Sequence, residues 1–81
     1  MTLDEFVEDF GELFENEEKL FFQPDDKFRD IEGWSSITVL SLIAMLDEKY
    51  KTRLTGEEIA RSVTIEDIYN LVKLKNPNNI Q

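Results

Sequence analysis

The chain contains no cysteine and no histidine among its 81 residues. Without cysteine there is no disulfide, no thiol nucleophile and no thiolate ligand for a metal. Without histidine the usual general base and the commonest zinc ligand are gone as well. Positive charge is also scarce: 9 Lys and Arg stand against 18 Asp and Glu, for a net charge of −9. That balance argues against nucleic acid, whose phosphates need Lys and Arg to displace their counterions, and against an anionic membrane surface. No run of 18 apolar residues occurs and the first residues are acidic, so neither a transmembrane helix nor a signal peptide is expected. The expectation is a cytoplasmic monomer that works through partners rather than as an enzyme. Eighty-one residues bury only ~60% of the surface their unfolded chain exposes, enough for one core and one domain. That domain is expected to span 1–81, with its packed part at about 3–74 and a frayed tail at 76–81.

The acidic excess is local. Residues 1–32 hold 12 acids and 3 bases, while 33–54 and 55–81 are close to neutral. Within that stretch Leu3, Phe6, Val7, Phe10, Leu13 and Phe14 recur at the three-to-four spacing of one helix face. Asp4, Glu5, Glu8, Asp9, Glu12 and Glu15 fill the other side, and Thr2 with Glu5 reads as a capping box. Residues 17–33 form a long connection with a turn at Pro24-Asp25-Asp26. Its Leu20, Phe21, Phe22, Phe28 and Ile31 are too apolar for a free loop, so it should be ordered against the core. Ser36 to Tyr50 is helical again, with Val39, Leu42, Ile43, Leu46 and Tyr50 as one stripe. Ile37, Leu40, Ala44 and Met45 lie off that stripe and either cover the first loop or meet a partner. Thr55 with Glu58 opens a short helix to Arg61, and Thr64 with Asp67 opens a last one with Ile65, Ile68, Leu71 and Val72 inward. No window alternates with period two. The expected fold is an all-α four-helix bundle, three longer helices and one short, with a long ordered first loop.

Ser36 stands where the second helix begins, just after Gly33-Trp34-Ser35. A helix N-terminus presents free N–H groups and a positive dipole end. A serine there reads either as an N-cap or as a hydroxyl able to carry a phosphodiester. Asp25-Asp26 through Glu32 lacks the alternating oxygen ligands and central glycine of a calcium loop. Asp47-Glu48 lies on a helix face with no partner for acid–base work. Trp34 either packs on the bundle or faces a ligand.

The stretch from Trp34 through Ser36 and the apolar helix to Asp47-Glu48-Lys49-Tyr50 resembles the acyl carrier protein family. The likeness runs on through Leu54, Thr55-Gly56-Glu57-Glu58-Ile59 and Val63-Thr64-Ile65-Glu66-Asp67-Ile68, and covers roughly residues 3–74. Here Ser35-Ser36-Ile37 replaces the family's Asp-Ser-Leu. The resemblance implies a 4′-phosphopantetheine arm from coenzyme A on Ser36, with Ser35 as the neighbouring candidate. The arm's thiol would hold acyl or related carboxylate groups as thioesters, which accounts for a carrier without cysteine or histidine. It also implies partners: a phosphopantetheinyl transferase, and ligase, ketosynthase or acyltransferase enzymes of fatty-acid, polyketide or related biosynthesis. An aminoacyl or peptidyl carrier and a cofactor-free acidic adaptor are the alternatives. Expected docking residues are Trp34, Ser35, Ile37, Leu40, Ser41, Met45, Asp47 and Glu48, with Thr38 in the same region. Phe28, Val39, Ile43, Leu46, Leu54, Ile59, Val63 and Ile68 should converge as the core and acyl pocket.

Overall fold

Each of the four helices starts with a hydroxyl side chain that accepts from the backbone three residues on, while the third residue's side chain reaches back. The pairs are Thr2–Glu5, Ser35–Thr38, Thr55–Glu58 and Thr64–Asp67. Such boxes satisfy N–H groups that have no intrahelical carbonyl, and they fix where each helix begins. In the computed structural model, which describes residues 2–14 and 22–76, the helices are α1 (Leu3–Gly11), α2 (Ser36–Tyr50), α3 (Gly56–Ala60) and α4 (Ile65–Lys75). Among the described residues a single 3₁₀ turn occupies Phe28–Asp30. No strand occurs among the described residues, so the chain is the expected all-α bundle with one short helix. The expected loop residues Leu20 and Phe21 lie outside the described residues.

Aromatic rings fill the space between α1, the first loop and α2. Phe6 lies between Tyr50 of α2 and Tyr69 of α4, with ring centroids 5.7 and 5.6 Å away. Phe10 faces Phe28 at 6.2 Å, and Trp34 closes on Phe28 at 4.8 Å. Phe28 has no exposed surface, so the first loop plugs the bundle as its composition requires. Leu42, Leu46, Ile59, Ile65, Ile68 and Val72 complete the fully buried set.

α1 stops earlier than its apolar repeat. After Gly11 the N–H groups of Leu13 and Phe14 bind carbonyls three residues back, so the chain tightens and leaves the α-helical path. This swings the Phe14 ring onto Phe22 at 5.5 Å and Trp34 at 6.5 Å.

The connection before α2 is tied to the turn between α3 and α4. Phe28 N–H donates to Val63 O, Ile65 N–H to Asp26 O, and Glu66 N–H to Pro24 O. Arg29 adds its guanidinium, which donates to Ser62 O at 2.6 Å, Ile59 O at 3.0 Å and Ala60 O. An Arg on the last carbonyls of a helix offsets both the unpaired acceptors and the negative dipole end.

At its far end α2 stops on Lys51, whose φ of 53° is left-handed. Lys51 and Thr52 N–H both turn back to Leu46 O. Asn76, expected in a frayed tail, is instead anchored. Its N–H donates to Val72 O at 2.9 Å and its amide to Tyr50 O at 3.1 Å.

Candidate functional site

Ser36 is the first residue of α2, and the cap role belongs to its neighbour. Ser35 Oγ accepts from Thr38 N–H at 3.4 Å, and Ser35 N–H donates to Thr38 Oγ1 at 3.2 Å. Thr38 Oγ1 in turn donates to Gly33 O at 3.0 Å. Gly33 has φ +96°, a conformation that suits glycine, and it turns the chain from the Trp34 cluster into α2. This mesh holds the helix start without using the Ser36 hydroxyl. Ser36 is exposed, and its Oγ has no hydrogen-bond partner among the described residues.

The electrostatics of this helix start differ from the rest of the molecule. α1, α3 and α4 each carry two acids in the first turn, whereas α2 carries none. Its cap is neutral, so the positive end of the dipole is not offset by a carboxylate. The N–H groups of Ser36 and Ile37 have no intrahelical carbonyl to bind. A phosphodiester on an exposed hydroxyl beside such groups meets favourable charge and no acid in the first turn of α2. The residues at the start of α2 therefore fit an arm attached through phosphate.

The expected docking residues separate into two groups. Ile37 and Leu40 are 75% and 67% exposed, and Ser41, Asp47 and Glu48 are exposed with them. Trp34 is half-buried and stacks on Phe10 at 6.3 Å and 8° between planes, so it belongs to the bundle. Met45 is half-buried and packs against the core. Ser35 is committed to the cap. Thr38 is 6% exposed, because the box that starts the helix draws its side chain inward.

The expected convergent core is corrected in three places. Phe28, Leu46, Leu54, Ile59 and Ile68 are buried together. Val39 and Ile43 are only partly buried, since the innermost row of α2 is Thr38, Leu42, Leu46 and Tyr50, rotated from the expected stripe. Val63 is 47% exposed. Its carbonyl accepts from Phe28 and its N–H donates to Asp67 at 3.0 Å, and that turn leaves the side chain outside. A groove lies elsewhere, along α3 and α4, lined by Glu58, Arg61, Ser62, Asp67, Asn70, Leu71 and Leu74.

Polar ties hold α1 to the end of α2. Tyr50 OH donates to Asp9, and Lys49 Nζ lies 3.3 Å from Asp9 and 3.6 Å from Glu12. Burial, then the Asp9 carboxylate, pushes the Tyr50 hydroxyl far above its ordinary range, so it stays a donor. Asp67 is held below its ordinary value chiefly by the N–H groups of Thr64 and Val63.

A small helical bundle that presents a free hydroxyl at an uncharged helix start has the form of a carrier of a covalently held phosphate group. Residues 4–72 match the family model for the phosphopantetheine attachment site, and the chain belongs to that family. Its members carry 4′-phosphopantetheine covalently and meet phosphopantetheinyl transferases and acyl-handling enzymes. No curated protein and no solved structure matches the chain.

Proposed function

We propose that Ser36 is the attachment residue and that the chain carries acyl or related carboxylate groups, delivering them to enzymes of fatty-acid, polyketide or related biosynthesis. The observation that carries this reading is the exposed Ser36 hydroxyl, without a hydrogen-bond partner among the described residues, at a helix start with no acid in its first turn, inside the span matched by the attachment-site family. In the loading step Ser36 Oγ forms a bond to the β-phosphorus of coenzyme A. The bond from that phosphorus to the bridging oxygen breaks, adenosine 3′,5′-bisphosphate leaves, and the hydroxyl proton passes to a base of the transferase. When bound, the arm supplies the thiol that the chain lacks, on which cargo is held as a thioester. The chain's own part is to expose the hydroxyl, keep carboxylates away from the phosphate, and hold the first turn rigid through Ser35, Thr38 and Gly33.

Intact-mass measurement after incubation with coenzyme A and a broad-specificity transferase tests the assignment. One phosphopantetheine should be added to the wild type and to Ser35→Ala, and none to Ser36→Ala. Addition that persists in Ser36→Ala and vanishes in Ser35→Ala would move the site by one residue.

A further inference from the structure

The box that opens α2 differs from the other three in what closes it. At α1, α3 and α4 the closing side chain is a carboxylate, Glu5, Glu58 or Asp67, which accepts the backbone N–H of the cap residue. An ionised carboxylate can only accept, so those boxes end at the N–H groups they bind. At α2 the closing side chain is the Thr38 hydroxyl, which accepts from Ser35 N–H and also donates to Gly33 O at 3.0 Å. The box of α2 therefore reaches back past the cap into the turn that precedes the helix. Thr38 is 6% exposed, in the innermost row with Leu42, Leu46 and Tyr50. Its hydroxyl bonds are made away from water, where they are costly to leave unmade.

The same turn is closed from its other side. Trp34 N–H donates to Ile31 O at 3.1 Å, and the Trp34 ring packs on Phe10 and Phe28. Gly33, at φ +96°, is thus fixed by the aromatic cluster behind it and by Thr38 ahead of it. Ser36 follows directly from this arch. We infer that Thr38 is a positioning residue for the Ser36 hydroxyl: through Gly33 it fixes the direction in which that hydroxyl leaves the helix start. This inference rests on Ser36 as the attachment residue. The direction matters because an attacking oxygen must meet phosphorus within a narrow range of approach, and a small misplacement slows the step. Thr38 itself is buried beneath the helix start, out of reach of a docked enzyme. Its loss should therefore slow the assembled complex without weakening its formation.

The test is a single-turnover measurement of phosphopantetheine addition, with coenzyme A saturating and a broad-specificity transferase titrated in excess. Thr38→Val keeps the shape and removes the hydroxyl, whereas Thr38→Ser keeps the hydroxyl and drops the methyl. Thr38→Val should lower the saturating rate about tenfold and leave the half-saturating transferase concentration within about twofold of wild type. Thr38→Ser should recover most of the rate, although it loses a buried methyl. Gly33→Ala acts on the other end of the bond. Its Cβ would meet Phe14 Cδ1 at 3.5 Å, an ordinary contact, so it acts through a φ that alanine resists, and it too should lower the saturating rate. In the unmodified protein, the Ser35 amide should exchange about tenfold faster in Thr38→Val, relative to those of Leu42 and Leu46, and Thr38→Ser should restore its protection. A saturating rate within twofold of wild type in Thr38→Val, a loss confined to half-saturation, or a Thr38→Ser as slow as Thr38→Val would overturn positioning by the hydroxyl while Ser36 stands. Gly33→Ala decides the matter if Thr38→Val does not fold: a wild-type rate there overturns the inference as well. If Ser36→Ala is still modified, the attachment assignment itself falls, and the role of Thr38 falls with it.

Discussion

At the scale of single residues, two adjacent serines divide the work at the head of α2. Ser35 holds the helix start through Thr38, and this leaves the exposed Ser36 hydroxyl available for the proposed attachment. The division predicts a separation of phenotypes. Ser35→Ala should lower stability by about 1 kcal/mol through the lost cap, read as a lower denaturant midpoint, while phosphopantetheine is still added. Ser36→Ala should leave the midpoint within ~0.5 kcal/mol of wild type, as a surface change does, and abolish addition. A Ser36→Ala protein that loses as much stability as Ser35→Ala would show that the two hydroxyls share the cap. The other end of α2 offers a gain. Lys51 holds a left-handed φ of 53° that a side chain resists. Lys51→Gly should raise stability by about 0.5–1 kcal/mol, the strain relieved less the extra freedom of glycine in the unfolded chain. No change, or a fall, would mean that the Lys51 side chain contributes more than its backbone costs.

At the scale of elements, the weakest member is α3. Five residues cannot hold a helix on their own, since most helix stability in proteins comes from packing. α3 has one buried side chain, Ile59, and is held by its box, by Lys75 on Glu58 at 2.7 Å, and by the Arg29 guanidinium on its last carbonyls. Arg29→Gln should speed amide exchange in residues 57–62 before the rest of the molecule and lower global stability by about 1–3 kcal/mol. Uniform exchange throughout the chain would contradict a local tie. The boundaries of these elements were largely legible in the sequence because they are set by local chemistry. Three of the four boxes follow from Thr-x-x-Glu or Thr-x-x-Asp, and α2 runs from Ser36 to Tyr50 as its spacing requires. The Ser35–Thr38 box has no such signature, because a box closed by threonine lacks the acidic partner that marks the others. Arg29 was illegible for another reason: its partners are backbone carbonyls about 30 residues away, and no side-chain pattern encodes them. The apolar side chain of Val63 points to burial, but its backbone is claimed from both sides, and the turn decides where the side chain goes.

At the scale of the whole molecule, charge and burial pull against each other. Ser36, the proposed attachment residue, follows from the helix register and the family likeness, whereas the surface around it needed the structure, which turns Thr38 inward and leaves Ile37 and Leu40 out. The core is small enough that Leu46→Ala, at a fully buried site, should cost ~2–5 kcal/mol, close to the entire stability of such a domain. The acids of α1 add a second, tunable cost. Asp4, Glu5 and Glu8 on α1 and Glu12 at its C-terminal cap are exposed, and Glu8 stands three or four residues from each of the others. Among the described residues Lys49 is drawn to Asp9 and Glu12, and its pKa is raised first by the hydrogen bond to Asp9. Raising salt from ~0.01 M to ~1 M shrinks the screening length from about 30 to about 3 Å. At pH 7 the repulsion should weaken more than the surface pairs do, and the melting temperature should rise. Acid works in the opposite sense at the helix caps. Asp67 is held below its ordinary value of 3.8 by the Thr64 and Val63 N–H groups, and Glu58 below 4.5 first by Lys75 and then by the Thr55 backbone. Carboxylates with lowered values stabilise the fold above their unfolded pKa, and that contribution is lost as pH falls through the folded one. Stability should therefore hold from neutral pH down to about 5 and drop below about 4. Asp67→Asn should be less stable at pH 7 and show a shallower acid limb, measured by thermal melts across pH at fixed salt. A melting temperature that falls on adding salt at pH 7 would mean that the Lys49 and Lys75 pairs outweigh the repulsion in α1. An acid limb unchanged in Asp67→Asn would mean that the α4 cap does not set it.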